Sequence, residues 1–337
     1  MLTDILNAYR EKSYFDSAVC LIFDRDSVLE SGHVGPADQD ALYDLASISK
    51  IITTTLLLDQ MEKGRLSPED PVLPYLPELS GGASGRRLRD VTIERLMTHT
   101  SGILPWYPFY ADGRPFPEIF EMLMETTPEE TGYAYSDLNY MLLARVFTAV
   151  SGRTLKEGVA ELICGRMGIP MQYGPVPAVL AAPCCLGNQI EKEMCAERGL
   201  SFDRWREDGI PVCGACNDGN AFYYFGGVSG HAGLFAGAGA MMQLCRFYMT
   251  TARKPFVRAM ETTVGERGLG FDKSDLFPEG CGHTGFTGTS IYISRHRGVG
   301  AVLLTNRLYL PDGGTPTGIN PCRRDVHQYA LKLISAG

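Results

Sequence analysis

The sequence predicts an α/β protein of the α+β type, in which an antiparallel sheet flanked by N- and C-terminal helices lies beside a mostly helical domain. Strand-like segments occur in pairs near both ends of the chain, and amphipathic helical patterns occupy both termini. The middle of the chain carries helical signals and loops rich in Pro and Gly. These observations predict a sheet domain made of residues 1–65 and 240–337, interrupted by a mostly helical domain at residues 66–239.

Hydrophobic spacing identifies the outer elements. Apolar residues recur at helical spacing in residues 3–12 and 323–335, which predicts an amphipathic helix at each end. SAVCLIF and SVLESGHV flank a short polar turn, and TSIYIS and VGAVLLTN flank another, which predicts two β-hairpins.

The middle elements are mainly helical. Helices are expected at residues 92–99, 117–126, 136–152 and 239–250. Residues 165–235 show little periodicity, so we expect mostly loops there.

The composition is that of an ordinary globular protein. Of 337 residues, 45% are hydrophobic and 21% are charged. A net charge of −8 without a long run of Lys or Arg argues against nucleic acid or an anionic membrane as a partner. No window approaches the roughly 18 continuous apolar residues of a membrane span, and the first residues are too polar for a secretory signal. We therefore expect a cytoplasmic protein.

The ten cysteines are scattered, and two of them, Cys184 and Cys185, are adjacent. Without an export signal, reduced thiols are the expected state. Cys213 and Cys216 have the spacing of half a zinc site, but no second pair of ligands follows a known zinc pattern. The sequence predicts no metal and no cofactor.

The segment DLASISK at residues 44–50 places Ser47 and Lys50 three apart, at the start of an apolar helix that we expect to stop at Gly64. Residues three apart share one helical face, so the hydroxyl and the amine can meet. A desolvated amine has a lowered pKa and can take the serine proton, which activates the serine as a nucleophile. The alternative is a structural helix whose Lys reaches the surface along its stem.

Two other segments contain residue types that would complete such a site. YAYSDLNYMLL opens a predicted helix with Tyr135 and Asp137, and GCGHTGFTGTSIYI runs from His283 into an apolar strand. Either segment alone is also typical of a packed tyrosine or of a Gly-rich turn.

Taken in this order, Ser-x-x-Lys, Tyr-x-Asp and His-Thr-Gly resemble the motifs of the serine β-lactamase and penicillin-binding-protein superfamily. LMTHTSGI and SGHAGLFAGAG are similar to segments of its class C β-lactamase-related branch, which contains D-amino-acid peptidases, D,D-carboxypeptidases, esterases and some acyltransferases. The resemblance covers residues 17–307 and implies a β-lactamase-like fold with the active site between the two domains.

The resemblance also implies a role for each matching residue. Ser47 would be the acylated nucleophile, and Lys50 and Tyr135 would form the base system, with the immediate base left open. The backbone N–H groups of Ser47 and Phe286 would form the oxyanion hole. The other residues implied to bind substrate are Asp137, His283, Thr284 and Gly285.

Two positions depart from the pattern. Many relatives have Asn where this chain has Asp137, and an ionised carboxylate cannot donate to a substrate carbonyl. Asp137 is therefore expected to pair with Lys50 and keep it charged, which would make Tyr135 the better base, or to attract a substrate ammonium. His283 replaces the Lys of most β-lactamases in the superfamily, which favours a peptidase or an esterase.

Two histidines and an aromatic loop complete the set of candidates. His99 and His231 lie in the similar segments but have no evident partner, so we interpret both as structural. The aromatic loop at residues 105–116 either lines the substrate cleft or packs on itself.

The sequence therefore predicts a serine hydrolase of the esterase or D-amino-acid peptidase type, acting through a Ser47 acyl-enzyme on a small ester, amide or peptide. The alternatives are a penicillin-binding D,D-carboxypeptidase or β-lactamase, an acyltransferase, and a non-catalytic ligand-binding module on the same fold. The oligomeric state cannot be predicted from the sequence.

Overall fold

The computed structural model describes residues 1–128 and 132–335, so the last two residues of the predicted sheet domain lie outside the described residues. The described strands are β1 (Ala18–Asp24), β2 (Val28–Val34), β3 (Tyr43–Asp44), β4 (Gln172–Tyr173), β5 (Pro183–Cys185), β6 (Val212–Cys213), β7 (Leu234–Ala236), β8 (Cys281–Thr284), β9 (Ser290–Ser294) and β10 (Val299–Thr305). The described α-helices are α1 (Leu2–Arg10), α2 (Ser49–Glu62), α3 (Gly82–Leu88), α4 (Ile93–Met97), α5 (Phe109–Asp112), α6 (Phe116–Thr126), α7 (Asp137–Ser151), α8 (Leu155–Gly158), α9 (Gln189–Glu197), α10 (Ala238–Thr250), α11 (Lys254–Glu261) and α12 (Asn320–Ser335).

The two predicted hairpins form the main sheet. Its strand order within the described residues is β2-β1-β10-β9-β8, and each neighbouring pair is antiparallel. The central pairing joins the two ends of the chain, with Ala18 opposite Thr305 and Asp24 opposite Val299. The predicted antiparallel sheet built from both chain ends is therefore confirmed.

Strand β1 is buried on both faces, which explains its nearly continuous apolar sequence. Cys20 and Ile22 point into the core formed with α1 and α12, whereas Val19 and Phe23 point into the main core on the other face. The alternation follows from the two-residue period of a strand. Helix α10 covers the second face, so the sheet lies between helical layers.

Helix α2 lies at the centre of the molecule, and its first twelve residues are all buried. It packs against α7 and α11, which accounts for apolar residues pointing in nearly every direction. A 3₁₀ turn at Ala46–Ile48 precedes it, so the regular helix begins two residues later than expected. Gly64 follows the helix with a φ of 67°, a conformation that Gly adopts at low cost.

The middle of the chain follows the prediction in its helices and in its loop-rich stretch, which also contains short regular elements. The predicted helices at 92–99, 117–126 and 136–152 correspond to α4, α6 and α7. Residues 165–235 are mostly loops, as expected, and also contain α9, a β5-β6 pair and strands that join the sheet β3-β7-β4. Strands of two or three residues are too short to produce a recognisable period.

The α+β fold is confirmed, while the domain boundaries at 65/66 and 239/240 stay a prediction. Within residues 1–128 and 132–335, each helix falls short of the length or the apolar character required to cross a membrane.

Candidate active site

Ser47 lies in a tight turn at the entrance to the buried helix α2. Ala46, just before it, has a φ of 45°, a left-handed conformation that is uncommon for residues other than Gly. The side chain of Asp44 stabilises this bend, because its Oδ1 accepts a hydrogen bond from the Ala46 N–H at 2.9 Å. A strained backbone of this kind is often found beside reacting groups.

The Lys50 ammonium joins Ser47 to Asp137. Its Nζ lies 2.8 Å from Ser47 Oγ and 2.7 Å from Asp137 Oδ1. The Lys50 side chain is fully buried. Burial disfavours its charge, but the Asp137 carboxylate and the neighbouring Tyr135 outweigh burial and raise the pKa of Lys50. The Ser-Lys spacing alone predicts a lowered pKa for Lys50, whereas its surroundings in the structure raise that pKa.

Tyr135 and Ser136 precede α7 and are held by the segment that contains His99. The Ser136 N–H donates to His99 Nδ1 at 3.1 Å, and Ser136 Oγ donates to the Leu104 carbonyl at 2.7 Å. The Tyr135 ring packs on the His99 ring at 4.4 Å between centroids and lies 4.8 Å from Lys50 Nζ. Burial lowers the pKa of His99, so its neutral ring can accept this hydrogen bond and position Tyr135.

The turn after β8 is bonded to the chain just before Ser47. Thr287 Oγ1 donates to the Asp44 carbonyl at 2.7 Å. A Cβ at Gly285 would lie 2.0 Å from Thr289 Oγ1 and 2.6 Å from the Leu45 carbonyl. Gly285 therefore allows a close approach that any larger residue would prevent.

His283 lies on β8, with its ring 6.2 Å from the Tyr135 ring between centroids. Its Nδ1 is 2.7 Å from the Thr284 carbonyl, a contact that a protonated Nδ1 makes as donor. Burial and the charges of Lys50 and Arg267 lower the pKa of His283 well below its usual range. The ring is neutral, so it offers no positive charge to a substrate carboxylate.

The backbone N–H groups of Ser47 and Phe286 are available to a ligand. Neither donates a hydrogen bond to a backbone acceptor among the described residues. Both residues line the same cleft, and 45% of Phe286 is exposed. Unpaired N–H groups are what an oxyanion hole requires, so the oxyanion role of this pair is retained as a proposal.

A cleft of about 150 Å³ opens at Ser47. Tyr135, Asp137, Phe286 and, from the aromatic loop, Trp106 lie in its wall, whereas His283, Thr284 and Gly285 are not among the described residues that line it. Of the same loop, Phe109 instead stacks on Phe116 at 5.3 Å between ring centroids. Both expectations for the loop therefore apply, each to a different part of it.

Two acidic residues of the cleft, Glu191 and Asp218, were not found by sequence reasoning. Glu191 accepts hydrogen bonds from the Tyr110 hydroxyl and the Gly219 N–H, both at 2.7 Å. Burial, together with the charge of Asp218, raises the pKa of Glu191 to about 8. Both residues lie in the stretch without periodicity, where an Asn-Asp-Gly sequence signals only a turn.

Asp137, Asp218 and His231 bring possible metal-ligand atoms within 4.8 Å of one another. Two of these atoms face each other in a hydrogen bond, because His231 Nε2 lies 2.9 Å from Asp218 Oδ1. Asp137 Oδ1 is bonded to the Lys50 ammonium, which also repels a divalent cation. These three side chains are therefore arranged for hydrogen bonds and ion pairs rather than for a metal ion.

All ten cysteines are free thiols.

Ser47 lies in the turn that leads into the buried helix α2, with Lys50 and Tyr135 beside it and strand β8 of the antiparallel sheet opposite. This arrangement is typical of one class of protein, the serine hydrolases that combine an antiparallel sheet with a helical domain. The model of the Beta-lactamase family matches residues 2–318. The chain belongs to the Beta-lactamase family.

Curated relatives match most of the chain. A protein of Escherichia coli (strain K12) named "Putative D-alanyl-D-alanine carboxypeptidase" is 28% identical over 318 residues, covering 82% of this chain and 71% of the relative. The N-acetylmuramyl-L-alanine amidase of Bacillus subtilis (strain 168) is 26% identical over 316 residues, covering 80% of this chain and 69% of the relative.

Solved structures show the same fold. EstCE1, described as a hydrolase with promiscuous acyltransferase activity, superposes with a TM-score of 0.72 at 17% identity, covering 97% of both chains. A class C β-lactamase from Rhodobacter sphaeroides superposes with a TM-score of 0.70 at 19% identity, covering 100% of this chain and 99% of the other. The β-lactamase-like fold implied by the motifs is therefore confirmed.

Proposed function

We propose that the protein hydrolyses a small ester or amide, as an esterase or a D-amino-acid peptidase does, through an acyl-enzyme on Ser47. The observation that carries the proposal is the position of Lys50 Nζ, 2.8 Å from Ser47 Oγ and 2.7 Å from Asp137 Oδ1, at a cleft that Ser47 and Tyr135 both line. The names of the curated relatives, a carboxypeptidase and an amidase, support cleavage of an amide.

The geometry supports Tyr135 as the base. Asp137 and Tyr135 raise the pKa of Lys50, which favours its charged form and makes it a poor proton acceptor, and Lys50 Nζ lies 4.8 Å from the centre of the Tyr135 ring. In the proposed first step, ionised Tyr135 takes the Ser47 proton while Oγ bonds to the substrate carbonyl carbon. The N–H groups of Ser47 and Phe286 stabilise the oxyanion.

The tetrahedral intermediate then collapses. Its bond to the leaving nitrogen or oxygen breaks, and Tyr135 returns the proton to that atom. In the second half of the reaction, water attacks the Ser47 ester, the acid is released, and Ser47 recovers its proton.

A fluorophosphonate probe tests the nucleophile. The wild-type protein should gain one probe mass, and p-nitrophenyl acetate should give a burst of p-nitrophenol; Ser47→Ala should abolish both. Ser80→Ala, a change at an exposed serine, is the matched control and should react like the wild type. Labelling or turnover of Ser47→Ala equal to that of the wild type would contradict the proposal.

A second candidate, a penicillin-binding D,D-carboxypeptidase or β-lactamase, is favoured by the name of the Escherichia coli relative. The neutral His283 and the carboxylate of Asp137 weigh against it, since neither provides the cation or the amide donor expected for such substrates. The intact mass of the protein after incubation with a penicillin and a cephalosporin distinguishes the two candidates. An adduct or hydrolysed drug supports the second candidate, whereas the absence of both excludes it.

A further inference from the structure

Asp218 presents a free carboxylate oxygen to the cleft beside Ser47. Its Oδ1 accepts hydrogen bonds from the Ala221 N–H at 2.7 Å and from His231 Nε2 at 2.9 Å. Its Oδ2 accepts none from the residues that the structure describes, and 21% of the side chain is exposed. The proposed hydrolysis mechanism assigns no role to the Asp218 carboxylate.

His231 and Ser229 fix the orientation of Asp218. His231 is almost fully buried, and its Nδ1 lies 2.7 Å from Ser229 Oγ. When the Ser229 hydroxyl donates to Nδ1, the proton of the ring resides on Nε2 and points at Asp218. Ser229 is itself buried and is not among the described residues that line the cleft at Ser47, so toward this cleft its hydroxyl serves to orient His231.

The His231 ring lies 2.9 Å from Asp218 and is a counterion for this carboxylate only when the ring is protonated. Lys50 is already paired with Asp137 at 2.7 Å. Burial disfavours the charge of Asp218, but His231, the Ala221 N–H and Lys50 outweigh burial and lower its pKa. Burial and the charge of Asp218 raise the pKa of Glu191, whereas the pKa of Asp218 is lowered, so Asp218 is the stronger acid of the two.

We propose that Asp218 selects substrates that carry a protonated amine next to the carbonyl attacked by Ser47, as aminoacyl esters and amides do. Carboxylate oxygens of Asp137 and Asp218 lie within 4.8 Å of each other. An ammonium group forms hydrogen bonds of about 2.8 Å, so one amine fits between the two carboxylates. Because Lys50 occupies Asp137, the amine binds chiefly to Asp218. This inference rests on the proposed function.

Two other tasks for Asp218 fit the structure less well. As a general base for deacylation it would need a pKa near the working pH, whereas its surroundings lower its pKa. In a metal site made of Asp137, Asp218 and His231, His231 would have to give up its bond to Asp218, and the divalent ion would lie close to the Lys50 ammonium. An organic monocation leaves the bond between His231 and Asp218 intact, and its single charge is repelled by Lys50 half as strongly as a divalent ion would be.

The test compares alanine p-nitroanilide with its N-acetylated form, in both D and L series. The wild type should have the higher kcat/KM for the free amine, and Asp218→Asn should lower the free-amine to N-acetyl ratio by about 10- to 100-fold, mainly through KM. Asn keeps the acceptor for His231 and Ala221 but removes the charge. Asp208→Asn, at an exposed ion pair with Lys192, is the matched control and should keep the wild-type ratio.

An equal loss on both substrates in Asp218→Asn would overturn the proposal, because a base or a structural group serves both. A preference of the wild type for the N-acetyl substrate would also overturn it. Loss of the amine preference after treatment with EDTA would place a metal ion at these residues instead.

A measurement on the wild type keeps the test independent of folding in the variant. Alaninamide and lactamide differ only in an amine and a hydroxyl, and alaninamide should compete with p-nitrophenyl acetate at a concentration at least about 10-fold lower. Equal competition overturns the assignment of Asp218. Absence of any Ser47 acylation by esters is a failure of the proposed function, whereas ester turnover without amine preference is a failure of this inference alone.

Discussion

At the scale of single residues, Lys50 shows how a buried charge can be both stable and useful. A fully buried ammonium is costly unless it is paired, and the contact with Asp137 at 2.7 Å supplies the pair. The same contact favours the protonated lysine, which is a source of positive charge for its neighbours, and in the proposed mechanism the role of initial base therefore belongs to Tyr135.

This assignment predicts that the importance of Tyr135 depends on Asp137. Tyr135→Phe should lower kcat/KM by about 10²- to 10⁴-fold in the wild-type background, because the base is lost. Asp137→Asn removes the carboxylate, so burial then lowers the pKa of Lys50 and the amine can act as base. In that background Tyr135→Phe should cost at least about 10-fold less. Ester hydrolysis by the four proteins measures the coupling, and equal losses in both backgrounds would assign Tyr135 a role other than base.

Residues of this site can be predicted from the sequence where their spacing along a helix, or the order of motifs along the chain, indicates that they lie together. Ser47 and Lys50 share a helical face, and a carboxylate at Asp137 implies a cation beside it. Asp218 and Glu191 could not be predicted, because their approach to Ser47 depends on how the loops at 165–235 cross the cleft. A turn sequence fixes local backbone geometry and contains no information about distant neighbours.

At the scale of elements, the contact between the end of β8 and the turn that contains Ser47 determines the shape of the site. Thr289 Oγ1 donates to the Leu45 carbonyl at 3.2 Å, and Gly285 lies directly against both residues. The long helices and strands around this contact are predictable from the sequence. The contact itself is made by short irregular segments, which show neither the helical nor the strand period of hydrophobic residues.

Gly285→Ala should therefore damage both stability and catalysis. The added methyl group would meet Thr289 Oγ1 at 2.0 Å and the Leu45 carbonyl at 2.6 Å, forcing β8 away from the turn that holds Ser47. We expect a loss of about 1–3 kcal/mol in the free energy of unfolding and a smaller p-nitrophenol burst rate. Denaturant titration and stopped-flow hydrolysis measure the two effects.

Gly239→Ala is the matched control, since its added Cβ meets nothing within 4 Å in helix α10. It should leave the burst unchanged and stabilise the protein by up to about 1 kcal/mol. A Gly285→Ala variant with wild-type stability and burst rate would show that the close approach is not required.

At the scale of the whole molecule, the far end of the chain supports the active-site turn. The pairing of β1 with β10 brings the chain ends together, and α12 packs on that sheet. From α12, the buried Arg323 donates through Nη2 to the Gly285 carbonyl at 2.7 Å and to the Thr289 carbonyl at 2.9 Å. The C-terminal helix can be predicted from its amphipathic pattern. The carbonyls to which Arg323 donates cannot be predicted, because no feature of the sequence near Arg323 identifies them.

Arg323→Met should uncouple the C-terminal helix from the site. Burial lowers the pKa of Arg323 to about 9, and its charge is compensated by carbonyl dipoles. Met keeps much of the stem volume but leaves the Gly285 and Thr289 carbonyls without their donor, so we expect a loss of about 1–3 kcal/mol in the free energy of unfolding. The displaced turn should lower kcat/KM for p-nitrophenyl acetate by about 10- to 100-fold at temperatures where the variant remains folded.

The neighbouring substitution Arg324→Met separates this effect from a general weakening of α12. Arg324 is 42% exposed and pairs with Asp275, whose side chain is 80% exposed. Surface pairs of this kind contribute at most about 1 kcal/mol, so Arg324→Met should retain the wild-type kcat/KM. If both variants lose activity in proportion to their loss of stability, α12 acts only as a cover for the core. If Arg323→Met alone loses activity while folded, the helix holds the turn that carries Phe286, as the proposed oxyanion role of the Phe286 N–H requires.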